Sequence, residues 1–228
     1  MKAAVLRKLN NDLEIEDLVI PDLSSGQILV DIKYSGICGA QVNQKKGIKI
    51  NENFLPCLMG HEGSGIVLEV GPDVKKVDKG DHVVLHWRKS SGIESDFPKY
   101  FSNTSKETIG AGLITTFSEK SIISENRLTK IDKKYSLDIA SLLGCGVTTG
   151  MGIIQNELKA SDGASFIIAG VGGVGLSLIM GAKLNSASRI ISLDLDDEKL
   201  TFAKKIGSTD EINVAKEKKF AKKVNEIT

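Results

Sequence analysis

The sequence predicts an α/β chain in two parts: a β-rich first domain, residues 1–146, then the opening of a doubly wound parallel sheet, residues 147–228. Three observations predict it. Up to residue 124 the chain carries short apolar or alternating runs divided by turn residues; Ile28, Val30, Ile32 and Tyr34 alternate with Asp31 and Lys33. From Ser165 onward, strand-like apolar bursts alternate with helical periods. Between the first burst and the first period stands Gly170-Val171-Gly172-Gly173-Val174-Gly175, with G-x-G-x-x-G spacing. There the first glycine makes a tight turn, the second admits a pyrophosphate to the backbone, and the third lets helix lie on strand.

In chain order, strands are expected over 2–7 and 13–20, parted by Asn10-Asn11-Asp12, and over 27–35. A short helix starts near Gly36-Ile37-Cys38-Gly39 and ends near Gly47. Gly60 to Gly65 leads into a strand over 66–70, and Lys79-Gly80-Asp81 turns into another over 82–86. Residues 88–112, rich in Ser, Gly and Lys, read as an excursion before strand character resumes over 115–124. Ser136 is placed to cap a helix that ends at Gly144, and 147–158 reads as a second helix. Strands at 165–169, 189–194 and 211–214 then alternate with helices at 174–184, 198–206 and 216–227, so the domain junction falls near 144–150.

Composition narrows the function classes. Hydrophobic residues make up 41% and charged residues 26%, the globular range, and the formal charge is +1. That balance gives no electrostatic case for nucleic acid or an acidic membrane surface. No apolar run reaches the ~18 residues of a membrane span, and the N-terminus carries no signal-peptide core, so a cytoplasmic protein is expected. The three cysteines, Cys38, Cys57 and Cys145, are an odd number far apart, which argues against a disulfide framework.

Asp194 ends the second strand of the alternating part, 19 residues after Gly175, close to the ~20 expected of a ribose-binding carboxylate. Its acceptor oxygens suit a ribose diol and repel a 2′-phosphate, which favours NAD over NADP; the plainer reading is a turn acid after a parallel strand. Cys38, His61 and Cys145 each sit beside glycines at a segment end. Two thiolates and an imidazole make a three-donor zinc site with one position open, the set used by alcohol dehydrogenase. Spacing alone does not join them, and taken singly each also reads as a core residue.

Gly36-Ile37-Cys38-Gly39, Gly60-His61-Glu62-Gly63-Ser64-Gly65 with Val70-Gly71, Gly80-Asp81-His82-Val83, Gly144-Cys145-Gly146 and the glycine loop occur in that order. Together they resemble the zinc-dependent medium-chain alcohol dehydrogenases, within the medium-chain dehydrogenase/reductase superfamily, along essentially the whole chain. The resemblance implies a GroES-like catalytic domain followed by a Rossmann domain. It implies catalytic zinc held by Cys38, His61 and Cys145, with Glu62 beside it and able to reach it. It also implies NAD held by Thr149, Gly170, Gly172, Gly173, Val174, Gly175, Asp194 and Lys199. The implied chemistry is oxidoreduction: zinc polarises the oxygen of a small alcohol, aldehyde, polyol or ketone, and hydride passes to or from the nicotinamide. A homo-oligomer is expected by the same resemblance.

Three departures qualify it. Ala40 and Gln41 stand where many relatives carry Ser or Thr, then Asp, so the hydroxyl that starts the proton relay is missing. The stretch 85–103 lacks the four cysteines of a structural zinc lobe, so one catalytic zinc and no structural zinc is expected. There His86, Trp87 and Arg88 either recognise a polar or anionic substrate or form a strand end with a solvated arginine. Residues 40, 41 and 86–97 are expected to shape the substrate pocket. Three parallel strands precede Thr228 where a full sheet has six, so the Rossmann part is expected to be incomplete. The alternatives are a zinc-free reductase of the superfamily, or a truncated remnant that is inactive or only binds nucleotide.

Overall fold

The computed structural model of the chain describes residues 1–48 and 52–227; residues 49–51 and Thr228, the last of the expected second domain, lie outside that set. It divides into two units, Met1–Cys145 and Gly146–Thr228.

The first unit runs β1 (Lys2–Leu6), β2 (Glu14–Val19), β3 (Gln27–Ser35), α1 (Gly39–Lys45), β4 (Cys57–Leu58), β5 (Glu62–Val70), β6 (His82–His86), β7 (Lys99–Ser102), β8 (Thr108–Gly110), β9 (Lys120–Ser124), β10 (Leu128–Ile131) and α2 (Leu137–Ala140), which tightens into a 3₁₀ turn over Ser141–Gly144. Two sheets form: a closed barrel in the order β1-β2-β7-β8-β4, and five strands in the order β10-β6-β5-β3-β9. β3 serves both cores. Ile28 and Val30 pack with Val67, Val83, Leu85, Ile123 and Leu128, while Leu29 joins Val5, Leu18, Tyr100, Ile109 and Ile122. Each such side chain removed from water contributes about 1.5–3 kcal/mol. The alternation read in the sequence holds only to Ile32. A register shift against β5 between Ile32 and Tyr34 turns Tyr34 outward, as a bulge does.

The excursion over 88–112 contains β7 and β8. Their signal was a short alternation, Tyr100 and Ser102 inward against Lys99 and Phe101 outward, masked by the polar residues around it. Tyr100 is fully buried, and its hydroxyl accepts the Ile122 N–H at 2.9 Å. Burial pushes that phenol up to about 12. β10 shows one inward apolar residue, Leu128, followed by Thr129 and Lys130, too little for a strand signal. Ser136 stands at the start of α2, yet its hydroxyl bonds Asp138 rather than capping the backbone.

In the second unit, α3 (Gly146–Gly152) widens into a π turn over Ile153–Glu157, followed by β11 (Ser165–Ala169), α4 (Gly173–Leu184), β12 (Arg189–Asp194), α5 (Asp197–Ile206), β13 (Asp210–Asn213) and α6 (Phe220–Ile227). The three strands are parallel in the order β11-β12-β13, with Ile167 opposite Ile191 and Leu193 opposite Ile212. This is the partial Rossmann-like sheet expected. Ile168, Val171, Ile179, Ala182, Ile190 and Leu200 form one core, and Ile191, Leu193, Ile212 and Val224 another. Asp196 caps α5 by accepting the N–H groups of Glu198 and Lys199. The last helix starts at Phe220 rather than Lys216, because Asn213 first folds the chain into a turn, accepting from the Ala215 and Glu217 N–H groups.

Candidate metal centre and nucleotide loop

Three segments far apart in sequence end at one place in the first unit. β3 runs out at Ser35, and the next N–H, of Gly36, bonds the Glu62 carbonyl at 3.2 Å, so the Cys38 segment lies beside the start of β5. His61 immediately precedes β5. β6 pairs Glu62 with His86, and the 3₁₀ turn after α2 lays Gly144 against this corner. A Cβ at Gly144 would stand 2.2 Å from the Leu85 carbonyl oxygen and 2.7 Å from the Glu62 Cβ; one at Gly36 would stand 2.6 Å from the Glu62 carboxylate. The glycine before each cysteine segment therefore makes room for the same buried acid. Glu62 itself is only 4% exposed.

The outcome is a cluster in which the ligand atoms of Cys38, His61 and Cys145 all lie within 4.8 Å of one another, each residue partly buried. Two sulfurs and one imidazole nitrogen at this separation fit a borderline-soft divalent ion such as zinc, and three protein donors are the count of a catalytic site. Gln41, on the first turn of α1 and 4% exposed, joins two of these residues. Its Oε1 accepts the Cys38 N–H at 2.9 Å, while its NH₂ end contacts His61 Nδ1. This contact was not foreseen; its signal was a polar residue three positions after Cys38, on the buried side of a helix start.

A cleft of about 390 Å³ opens from His61, with Phe54, Met59, Trp87, Phe97, Leu113 and Ile114 among its walls. Of the trio at the end of β6, only Trp87 lines it. His86 is tied to the Arg88 carbonyl at 2.7 Å and to Thr129 Oγ1 at 3.0 Å, and burial pushes its imidazole below the ordinary value. Arg88 lies over the Trp87 ring, 5.9 Å from its centroid. Cys57, a core residue whose thiol is pushed up by burial, also borders the cleft.

In the second unit the glycine loop joins β11 to α4. Gly170 supplies the turn with φ +85°, and a Cβ at Gly175 would stand 2.0 Å from the Gly170 carbonyl oxygen, so helix start meets strand end only because Gly175 lacks a side chain. Gly172 caps α4, and Gly173 and Val174, both exposed, form its first turn. Asp194 Oδ2 accepts the Val171 N–H at 2.8 Å, and Oδ1 accepts those of Leu195 at 2.8 Å and Asp196 at 3.1 Å. The Val171 bond leads in holding this carboxyl below its usual range, with the exposed Lys199 of α5 adding to it. A carboxylate offers about four acceptor positions, so capacity remains for a ligand hydroxyl. A pocket of about 350 Å³ lies here, lined by Gly170, Asp194, Leu195 and Phe220 among others. Thr149 is half-buried on α3.

A protein-family profile, the alcohol dehydrogenase GroES-like domain, matches residues 24–133. An S-(hydroxymethyl)glutathione dehydrogenase of Saccharomyces cerevisiae is 32% identical over 99% of this chain and 66% of its own length. An alcohol dehydrogenase zinc-binding domain protein from Burkholderia ambifaria superposes with TM-score 0.89 at 28% identity, over 100% of this chain and 67% of that one. Benzyl alcohol dehydrogenase from Acinetobacter calcoaceticus gives TM-score 0.85 at 28% identity, with the same coverage. The chain thus spans just under two thirds of the length of the curated relative. No single helix among the described residues is long and apolar enough to cross a membrane.

Proposed function

Because this chain belongs to the zinc-dependent medium-chain alcohol dehydrogenase family, we propose that it is an oxidoreductase that interconverts an alcohol and a carbonyl compound using one catalytic zinc and NAD. The observation that carries the reading is the Cys38, His61 and Cys145 cluster, of which His61 also lines a cleft of about 390 Å³. When bound, zinc supplies Lewis acidity toward a hydroxyl or carbonyl oxygen, and NAD supplies the two-electron acceptor.

The chain's own residues do the rest. Cys38 and Cys145 bring thiolates, and His61 a neutral imidazole whose ring is fixed by Gln41. Glu62, buried behind Gly36 and Gly144, adds negative potential beside the donors. The N–H groups at the start of α4 receive a pyrophosphate, and Asp194 accepts from a ribose hydroxyl while repelling a 2′-phosphate. Thr149 and Lys199 complete the proposed nucleotide contacts. With Ala40 two residues after Cys38, no side-chain hydroxyl at that position moves the alcohol proton.

The reading is tested by mixing the purified chain with NAD and a panel of alcohols and following NADH. Alcohol-dependent NADH formation, lost on chelation and restored by zinc, supports it. Turnover indifferent to chelation would favour the zinc-free alternative, and NAD binding without turnover the nucleotide-binding one.

A further inference from the structure

The link from β4 to β5, Met59-Gly60-His61, closes around one buried side chain, Thr116. Thr116 is 2% exposed, and its neighbours Met59 and Glu62 are 3% and 4% exposed. Ahead of His61, the Met59 carbonyl accepts the N–H groups of Thr116 and Phe117, each at 3.0 Å. Behind it, Thr116 Oγ1 lies 3.1 Å from the Glu62 carbonyl oxygen, which also accepts the Gly36 N–H at 3.2 Å. The glycines on either side of His61-Glu62 give way to the same side chain. A Cβ at Gly60 would stand 2.3 Å from Thr116 Oγ1, and one at Gly63 would stand 3.1 Å from Thr116 Cγ2. Gly60 also has φ +94°, so its missing side chain serves both the backbone path and the close approach.

Ser35, the last residue of β3, doubles the contact. Its Oγ lies 2.7 Å from Thr116 Oγ1 and 3.2 Å from the Glu62 carbonyl oxygen. A carbonyl oxygen has two lone pairs. The Gly36 N–H takes one, and the hydroxyl pair takes the other. Each hydroxyl carries a single proton, so one donates to its partner and the partner donates to Glu62. Either hydroxyl can therefore reach the carbonyl when the other is lost. Together they tie the segment leading to Cys38, the start of β5 and residues 115–117 at the residue next to His61.

We propose that Ser35 and Thr116 are positioning residues of the metal centre: acting through the Glu62 carbonyl, they hold the His61 backbone where its imidazole meets the Cys38 and Cys145 sulfurs. The assignment rests on the zinc reading for its consequence. Its geometry rests on the hydrogen bonds and the two glycines alone. Groups that orient a metal ligand from outside the donor set tune affinity without touching the ion. Two interchangeable hydroxyls give that effect a particular signature, because removing one leaves the other in place and only removing both frees the carbonyl.

The test uses the full chain as Ser35→Ala, as Thr116→Val and as the double variant, with Thr115→Val for comparison. Thr115 is also 2% exposed, but its hydroxyl lies 3.3 Å from Ser121 Oγ and is not bonded to Glu62. Zinc affinity is read by competition with a chromophoric chelator, and cobalt(II) spectra report the geometry of the thiolate and imidazole donors. Each single variant should stay within about threefold of wild type, while the double variant loses about tenfold or more with altered cobalt bands. Ser35→Ala combined with Thr116→Ser restores one hydroxyl and should return to within about threefold. Thr115→Val should match wild type. A folded double variant within about threefold of wild type, or an equal loss in Thr115→Val, overturns the proposal. The metal-free chain gives a second readout that needs no double variant. The ring resonances of His61, identified among three histidines by their loss in His61→Asn, should move in Thr116→Val and stay in Thr115→Val. Unmoved resonances in Thr116→Val overturn the proposal as well. The two readings fail separately. A wild-type chain that takes up no zinc sinks only the dehydrogenase reading, since the resonances still judge the hydroxyl pair. Zinc uptake that is indifferent to both hydroxyls sinks only this one.

Discussion

Replacing Gln41 by alanine should loosen the metal site without touching a donor atom. The side chain is 4% exposed and makes two contacts, accepting the Cys38 N–H at 2.9 Å and holding His61 Nδ1. A carboxamide can present either end to the ring. When His61 ligates through its other nitrogen, Nδ1 carries the proton and the amide oxygen is the end that suits it, an orientation that gives up the Cys38 N–H. Alanine removes the side-chain contact that Gln41 makes to the ring. Losing such an outer partner costs about 10–100-fold in metal affinity, which is about 1.4–2.8 kcal/mol. The assay is zinc competition against a chromophoric chelator, with cobalt spectra reporting the thiolate and imidazole donors. Gln41→Glu keeps an acceptor for both contacts and should bind zinc at least as tightly as wild type. A Gln41→Ala protein that binds zinc within about twofold of wild type would refute the clamp.

Three further outcomes follow from the geometry. Gly144→Ala puts a Cβ 2.2 Å from the Leu85 carbonyl oxygen, so stability in denaturant should fall by about 1–3 kcal/mol; an unchanged midpoint would contradict the close approach. Burial pushes the Glu125 carboxyl up, but bonds from the Lys75, Ile93 and Lys76 N–H groups outweigh it and hold the folded value below the usual range. Its contribution is therefore present above the unfolded value of about 4.3 and lost as pH falls through the folded one. Glu125→Gln should be less stable than wild type at neutral pH, with the gap closing in acid; a gap independent of pH would reject the linkage. Asp194→Ala removes the charged acceptor at the end of β12, and NAD affinity, measured by calorimetry, should drop about ten- to hundredfold with NADP affected less. Equal losses for the two nucleotides would remove Asp194 from the ribose site.

The sequence was most legible where one period or one spacing carried the information. The parallel strands at 165–169 and 189–194 appear at their expected bounds, because both read as continuous apolar runs, although only the second is buried along most of its length. The glycine loop was equally plain, since Gly170 and Gly175 touch and no other residue fits. β7, β8 and β10 were hidden because each is four residues or fewer, with at most two inward side chains, and their order in the sheets is set by distant partners. The Cys38, His61 and Cys145 cluster was legible only through the combined motifs, because the three residues meet by way of β3, β5 and the turn after α2, which no local spacing encodes. The Gln41 contact and the aromatic cleft likewise depend on which side chains tertiary packing turns toward His61.

Whether Cys38, His61 and Cys145 hold one zinc ion is measured most directly by metal content. Purified gently and dialysed against metal-free buffer, the wild-type chain should retain one zinc per chain by elemental analysis. The Cys38→Ser, Cys145→Ser double variant should retain none, while Cys57→Ser should match wild type. A wild-type chain without zinc, or a double variant that still carries it, would contradict the account.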